Sequence, residues 1–137
     1  RRAALQLQRN GETEKAVELI DKYFEVFPDM NFPYDYRAYY MISVYLEAGA
    51  YEKAKPHLQI LAERTADELD YYNSLDPEIL ESSFQTEYML AMRTMDDIVQ
   101  AARQNNDEAF AQELQRLFEP FQMEMPENLM QQRNGGR

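Results

Sequence analysis

The sequence predicts an all-α fold of about six helices packed as antiparallel hairpins. Three observations carry this. Apolar residues recur at three- and four-residue intervals along most of the chain. Runs of β-branched residues are missing, and no Asn-Gly or Asp-Gly pair joins two alternating segments. A Gly-x-x-Glu-Lys-Ala pattern also occurs twice, at Gly11 and Gly49.

The elements follow in order. A short helix precedes Gly11. After it, Ala16, Ile20, Tyr23 and Phe27 form a stripe that Val17 and Phe24 widen, ending at Pro28-Asp29. The next helix carries Ala38, Met41, Ile42 and Tyr45 inward and stops at Gly49, with Pro33 as its start and Phe32 as a staple. Ala54, Leu58, Leu61, Thr65, Leu69 and Tyr72 mark a third long pattern. Pro56 sits inside it, and an irregular first turn is expected there because proline cannot donate to the carbonyl of Glu52. Asp76-Pro77 reads as a cap and first-turn proline. Leu80, Phe84, Tyr88, Ala91, Met95, Ile98 and Ala102 then form one long helix. Gln104 to Asp107 interrupt, and Phe110, Leu114, Leu117 and Phe121 close the set, with Pro120 as a stop. Each helix has one stripe to hide, so neighbours joined by short connections pack as hairpins.

Composition narrows the function classes. At 137 residues the chain has room for one core, which suits a single domain over 1–121 with a polar, frayed tail over 122–137. Cysteine is absent, which excludes thiol nucleophiles, disulfides and cysteine-based zinc sites. Fourteen basic residues against 25 acidic ones, net charge −11, argue against nucleic acid and against direct binding to anionic lipid. The acidity concentrates between Glu63 and Asp97, where ten acidic residues stand against Arg64 and Arg93; a solvated face is the expectation. No window reaches the eighteen or so apolar residues a bilayer span needs. Arg1-Arg2-Ala3-Ala4-Leu5 has no apolar run after it and does not read as a signal peptide, and without an initiator Met the chain reads as a fragment.

The repeated heptapeptides, Asn10–Ala16 and Ala48–Ala54, lie 38 residues apart and share Gly, Glu-Lys and Ala in register. This resembles the tetratricopeptide repeat, whose length is about 34 residues. The resemblance implies a right-handed stack with two repeats, 1–28 and 35–72, and a long closing hairpin over 76–121. In it Gly11 and Gly49 occupy turns, Ala16 and Ala54 allow close helix approach, and Pro28 ends the first unit. Asn105 to Ala109 are a degenerate third turn. Ala66 stands where the second unit's proline is expected, in keeping with a helix that runs on to Tyr72.

Phe32–Tyr36 (FPYDY), Leu69–Glu78 (LDYYNSLDPE) and Ser83–Glu87 (SFQTE) carry a second resemblance, covering about Ala4 to Phe121. They are similar to the soluble C-terminal segment of a Bacteroidetes multi-pass membrane protein family of unknown function, itself similar to transmembrane O-mannosyltransferases. This implies a periplasmic, membrane-attached helical appendage whose parent is a glycosyltransferase-like protein, with the catalytic groups in the membrane part.

Candidate chemistry within the chain is sparse. His57 is the lone imidazole and has no Ser/His/Asp grouping. Glu63, Asp67 and Asp70 share a helix face but lack the loop or second-helix ligands a cation needs. Asp96 and Asp97 point to different faces. No phosphate-loop, dinucleotide or zinc-protease motif occurs. The reading is a non-enzymatic chain without cofactor or metal.

Tyrosine is the unusual item: ten in all, six of them between Tyr34 and Tyr51. The repeat pattern sends Tyr36, Tyr39, Ser43, Leu46 and Glu47 to a concave groove, with Leu5, Gln8 and Arg9 added from the first unit. Such a groove suits a protein or peptide partner. Two other outcomes stay open: a carbohydrate or lipid-linked substrate accessory, and a purely structural cap on the parent membrane domain whose long closing helix fills the groove.

Overall fold

The computed structural model describes residues 2–26 and 35–124, and side chains within 11–26 and 35–122. Six α-helices and no strand occur among them: α1 (Arg2–Val26), α2 (Tyr36–Glu47), α3 (Tyr51–Asn73), α4 (Pro77–Ser83), α5 (Gln85–Gln104) and α6 (Glu108–Glu124). The all-α class holds. Two compact units, Arg1–Leu61 and Ala62–Arg137, divide within α3. In the first, α1 packs on α2; in the second, α5 packs on α6 and α4 on α5.

The helix count matches expectation through two opposite departures. First, α1 is one helix straight through Gly11, so the predicted turn there does not exist. Gly49 is the only described glycine with positive φ, at 75°. Gly11 is exposed, and a Cβ built on it meets nothing within 4 Å. The first predicted repeat therefore lacks its helix–turn–helix. Helical propensity along Glu12–Lys15 and the inward stripe of Ala16, Val17, Ile20, Tyr23 and Phe24 outweigh the roughly 1 kcal/mol a single interior glycine costs. Second, the long helix expected from Leu80 to Ala102 breaks at Phe84, whose backbone (φ −130°, ψ 11°) ends α4 and begins α5. Ser82 and Ser83, both weak in helix interiors, precede the break. The bend seats the Phe84 ring 5.7 Å from Tyr72 and 6.4 Å from Tyr71.

Other boundaries follow local chemistry. Asp35, not Pro33, starts α2: its carboxylate accepts the Arg37 N–H at 2.9 Å and pairs with the Arg37 guanidinium at 2.7 Å. Phe32 and Pro33 lie outside the described residues, as does the Pro28-Asp29 stop. Asp76 caps α4 as expected, accepting from the Glu78 N–H at 2.9 Å with Pro77 at the first position. The α-helix continues through Pro56 without the irregular turn predicted there. The lost bond is at the Glu52 carbonyl; Glu52 and Pro56 are both exposed, so water can serve that oxygen. Pro120 likewise lies inside α6 and does not end it. It is exposed, and continuing the helix keeps Phe118 and Phe121 buried. Gln122 and Glu124, read as tail, are thus helical.

Two turns of one design join consecutive helices, α2 to α3 and α5 to α6. After α2, Gly49 N–H bonds the Leu46 carbonyl at 3.1 Å and Ala50 N–H the Tyr45 carbonyl at 2.8 Å. After α5, Asn106 N–H bonds Arg103 at 3.0 Å and Asp107 N–H bonds Ala102 at 2.9 Å. Both are Schellman motifs with a left-handed residue, Gly49 in one and Asn106 (φ 60°) in the other. Asp107 then caps α6, its Oδ1 accepting from Phe110 N–H at 3.2 Å. The structural counterpart of the Gly49 turn is therefore the Asn106 turn, while Gly11 has no such role. Around the second turn Ala101, Ala102 and Ala111 are buried, small enough for α5 and α6 to approach closely, and Met95, Ile98, Leu114 and Phe118 fill the core beside them.

The two glycines should respond oppositely to alanine. Gly11→Ala is expected to raise stability by about 0.5–1 kcal/mol as a helix-interior change. Gly49→Ala is expected to lower it by about 1–2 kcal/mol because alanine resists the left-handed backbone. Urea unfolding of the two variants checks this; destabilisation by Gly11→Ala would restore the turn at residue 11.

Candidate functional site

The first unit is organised around Asp21 of α1. Tyr45 of α2 donates its hydroxyl to Asp21 Oδ1 at 2.6 Å, and Lys53 of α3 donates from Nζ to Oδ2 at 2.8 Å. One carboxylate thus ties together three helices. Lys53 first, then Tyr45, holds the Asp21 carboxyl below its ordinary range. Tyr45 itself is 2% exposed, so its hydroxyl needs this acceptor. Beside it, Phe24 stacks on His57 with ring centroids 3.7 Å apart, and Tyr45 lies nearly parallel to both at 6.2 and 6.0 Å. His57 is half-buried, and burial pushes its pKa below 6.5 against the pull of the Asp21 charge. The imidazole is therefore the neutral, flat member of an aromatic stack.

Fixing Tyr45 inward fixes the rotation of α2. Ala38, Ile42 and Tyr45 are buried, with Met41 at their margin. Residues 36, 40, 43 and 47, spaced four, three and four apart, fall on the opposite face. Of the predicted groove residues, Tyr36 (38% exposed) and Glu47 lie open there. Ser43 is half-buried and donates its hydroxyl to the Tyr40 carbonyl at 2.6 Å, so that donor is already used. Tyr39 and Leu46 sit half-buried on the flank. Leu5, Gln8 and Arg9 belong to α1, but their side chains lie outside the described residues. The structure thus shares the α2 residues between an outer face and one flank.

The residue missed is Tyr40, at 68% the most exposed of the described large hydrophobic side chains. Its signal was present in the sequence: it stands four residues after Tyr36 and three before Ser43, on the face that Ala38, Ile42 and Tyr45 leave outward.

Among the described residues no group of three His, Asp or Glu side chains is placed to hold a metal ion. Glu63, Asp67 and Asp70 are exposed, as expected for a solvated face. Asp97 is partly buried, which raises its pKa against the influence of Arg93. Two surface hollows are each lined by one helix, Lys15 to Glu25 of α1 and Gln112 to Gln122 of α6. Neither gathers polar groups from two elements. No described helix is long and apolar enough to cross a membrane.

His57 makes the first unit acid-sensitive. Its folded pKa is depressed, so the unfolded chain binds the proton more tightly. Its contribution to stability is complete above the unfolded value of 6.5 and declines as pH falls from there to the folded pKa. Between about pH 7.5 and pH 5, wild type should lose stability relative to His57→Phe, which keeps the ring but not the titration. Parallel stability–pH curves for the two proteins would contradict the neutral buried imidazole.

No family model, no curated protein and no solved structure matches this chain.

Proposed function

We propose that this chain is a non-catalytic docking module that binds a protein or peptide through the outer face of α2. The observation that supports the reading is the outward pair Tyr36 and Tyr40, 38% and 68% exposed on a helix whose opposite side is packed. Tyrosine offers a wide, stiff apolar surface with one hydroxyl and loses little side-chain entropy on binding. Glu47 on the same face, with Tyr39 and Leu46 beside it, supplies a charged end and an apolar margin. On this reading the work is adhesion and not bond-making, and no cofactor is called for.

The resemblance at Phe32–Tyr36, Leu69–Glu78 and Ser83–Glu87 supports a setting for the module. It would be the periplasmic, membrane-attached appendage of a glycosyltransferase-like parent, docking a partner beside the enzyme. A sugar-binding accessory and a structural cap are the competing roles, and the same experiment separates them.

That experiment is affinity capture from detergent-solubilised native membranes, run with wild type and with a Tyr36→Ala/Tyr40→Ala variant. Circular dichroism checks that the variant keeps its helicity. One protein retained by wild type and lost by the folded variant is the expected result. Capture of nothing above background contradicts docking and favours the cap. A glycan-array signal abolished by the same two changes would instead assign the face to a sugar.

A further inference from the structure

The second unit carries another outward aromatic, distinct from the α2 face. Tyr71 near the end of α3 is 55% exposed. It is not a loose side chain. Its ring stands T-shaped to Phe84, with centroids 6.4 Å apart and an interplanar angle of 86°, and lies 5.8 Å from Tyr72. Tyr72 in turn is 7% exposed and anchored through Phe84 at 5.7 Å and Tyr88 at 6.1 Å. The exposed ring thus sits on a built aromatic base.

Carboxylates precede it along the exposed side of α3. Glu63, Asp67 and Tyr71 follow one another at four-residue spacing on the exposed side of α3, with Asp70 three residues after Asp67 and Arg64 the single cation in that stretch. Neither Asp67 nor Asp70 forms a side-chain hydrogen bond or ion pair among the described residues. Glu68 accepts the Tyr72 hydroxyl at 2.7 Å; burial first, then that hydrogen bond, then the charges of Glu68 and Glu87 push the phenol's pKa up. The Tyr71 ring is thus held by aromatic neighbours, with Asp67 one helical turn before it.

An exposed electron-rich ring beside carboxylates is complementary to one chemistry, a cationic side chain lying over the ring. Arginine and lysine gain there from the ring's quadrupole and from the carboxylates together. A neutral apolar partner would leave Asp67 and Asp70 uncompensated at its edge, and an acidic one would be repelled. We infer that the Tyr71 face of the second unit binds a basic peptide segment, with an arginine or lysine seated on the Tyr71 ring on the side of Asp67 and Asp70.

The test is fluorescence anisotropy of the full chain with a labelled peptide of alternating Gly and Arg/Lys, against the same peptide with glutamine in place of every base. The basic peptide should bind and the glutamine peptide should not. Tyr71→Ala should weaken binding about tenfold, while Tyr71→Phe, which keeps the ring face, stays within about twofold. Asp67→Asn/Asp70→Asn, a pair on the solvent side that leaves the aromatic base intact, should weaken binding and flatten its salt dependence. Tyr36→Ala/Tyr40→Ala should leave it unchanged, which keeps this result separate from the fate of the α2 face. Affinity that Tyr71→Ala does not alter would reduce the attraction to diffuse charge on an acidic chain and overturn the inference. So would the absence of binding to the basic peptide.

Discussion

The hydrogen bond from Tyr45 to Asp21 is the constraint on which the first unit depends. A tyrosine buried to 2% exposure cannot leave its hydroxyl without an acceptor at small cost. Asp21 supplies that acceptor at 2.6 Å, and Lys53 compensates the charge from the other oxygen at 2.8 Å. The bond sets how far α2 is turned about its axis. With Tyr45 inward, Ala38 and Ile42 must follow, and Tyr36 and Tyr40 must face out. Orientation of the candidate binding face is thus a consequence of one buried polar contact and helical geometry. The Phe24–His57 stack at 3.7 Å adds apolar area beside it but no further direction.

Much of the fold was legible because helical periodicity is a strong signal over long windows. The inward stripes on α2, α3 and α5 were read at Ile42, Leu58, Leu69 and Met95, all of which are fully buried. Turns were read less well because a glycine letter does not say which conformation it takes. Gly11 and Gly49 stand in matching heptapeptides, yet only Gly49 ends a helix. What precedes them differs. Glu47-Ala48 exhaust the apolar pattern of α2, whereas the stripe of α1 continues past Gly11 to Phe24 and carries the helix through it. Proline misled in the same way. Pro56 and Pro120 each cost one bond on an exposed side, and the buried residues around them, Ala54 and Leu58, Phe118 and Phe121, keep the helix going.

The site was half legible. The repeat pattern sent Tyr36 and Glu47 to a groove, and both are exposed, on the face of α2 opposite Tyr45. Tyr40 was passed over because the repeat pattern assigned the groove by analogy, while exposure is decided by the rotation that Tyr45 imposes. Tyr71 was hidden for another reason. Next to Tyr72 in sequence it looks equivalent, but the two lie 100° apart around the helix, and the break at Phe84 that gives Tyr71 its aromatic base is marked only by the pair Ser82-Ser83, outweighed by the apolar spacing on either side.

The most direct test of this account is a double-mutant cycle on the bond that orients α2, with Tyr45→Phe, Asp21→Asn and their combination followed by urea unfolding. Each change keeps shape while weakening the hydroxyl–carboxylate contact. A favourable coupling of about 1 kcal/mol is predicted, scaled down from a fully buried charged bond because Asp21 is partly open to water. Strictly additive effects would mean that Tyr45 and Asp21 act independently, and that the outward placement of Tyr36 and Tyr40 has some other cause.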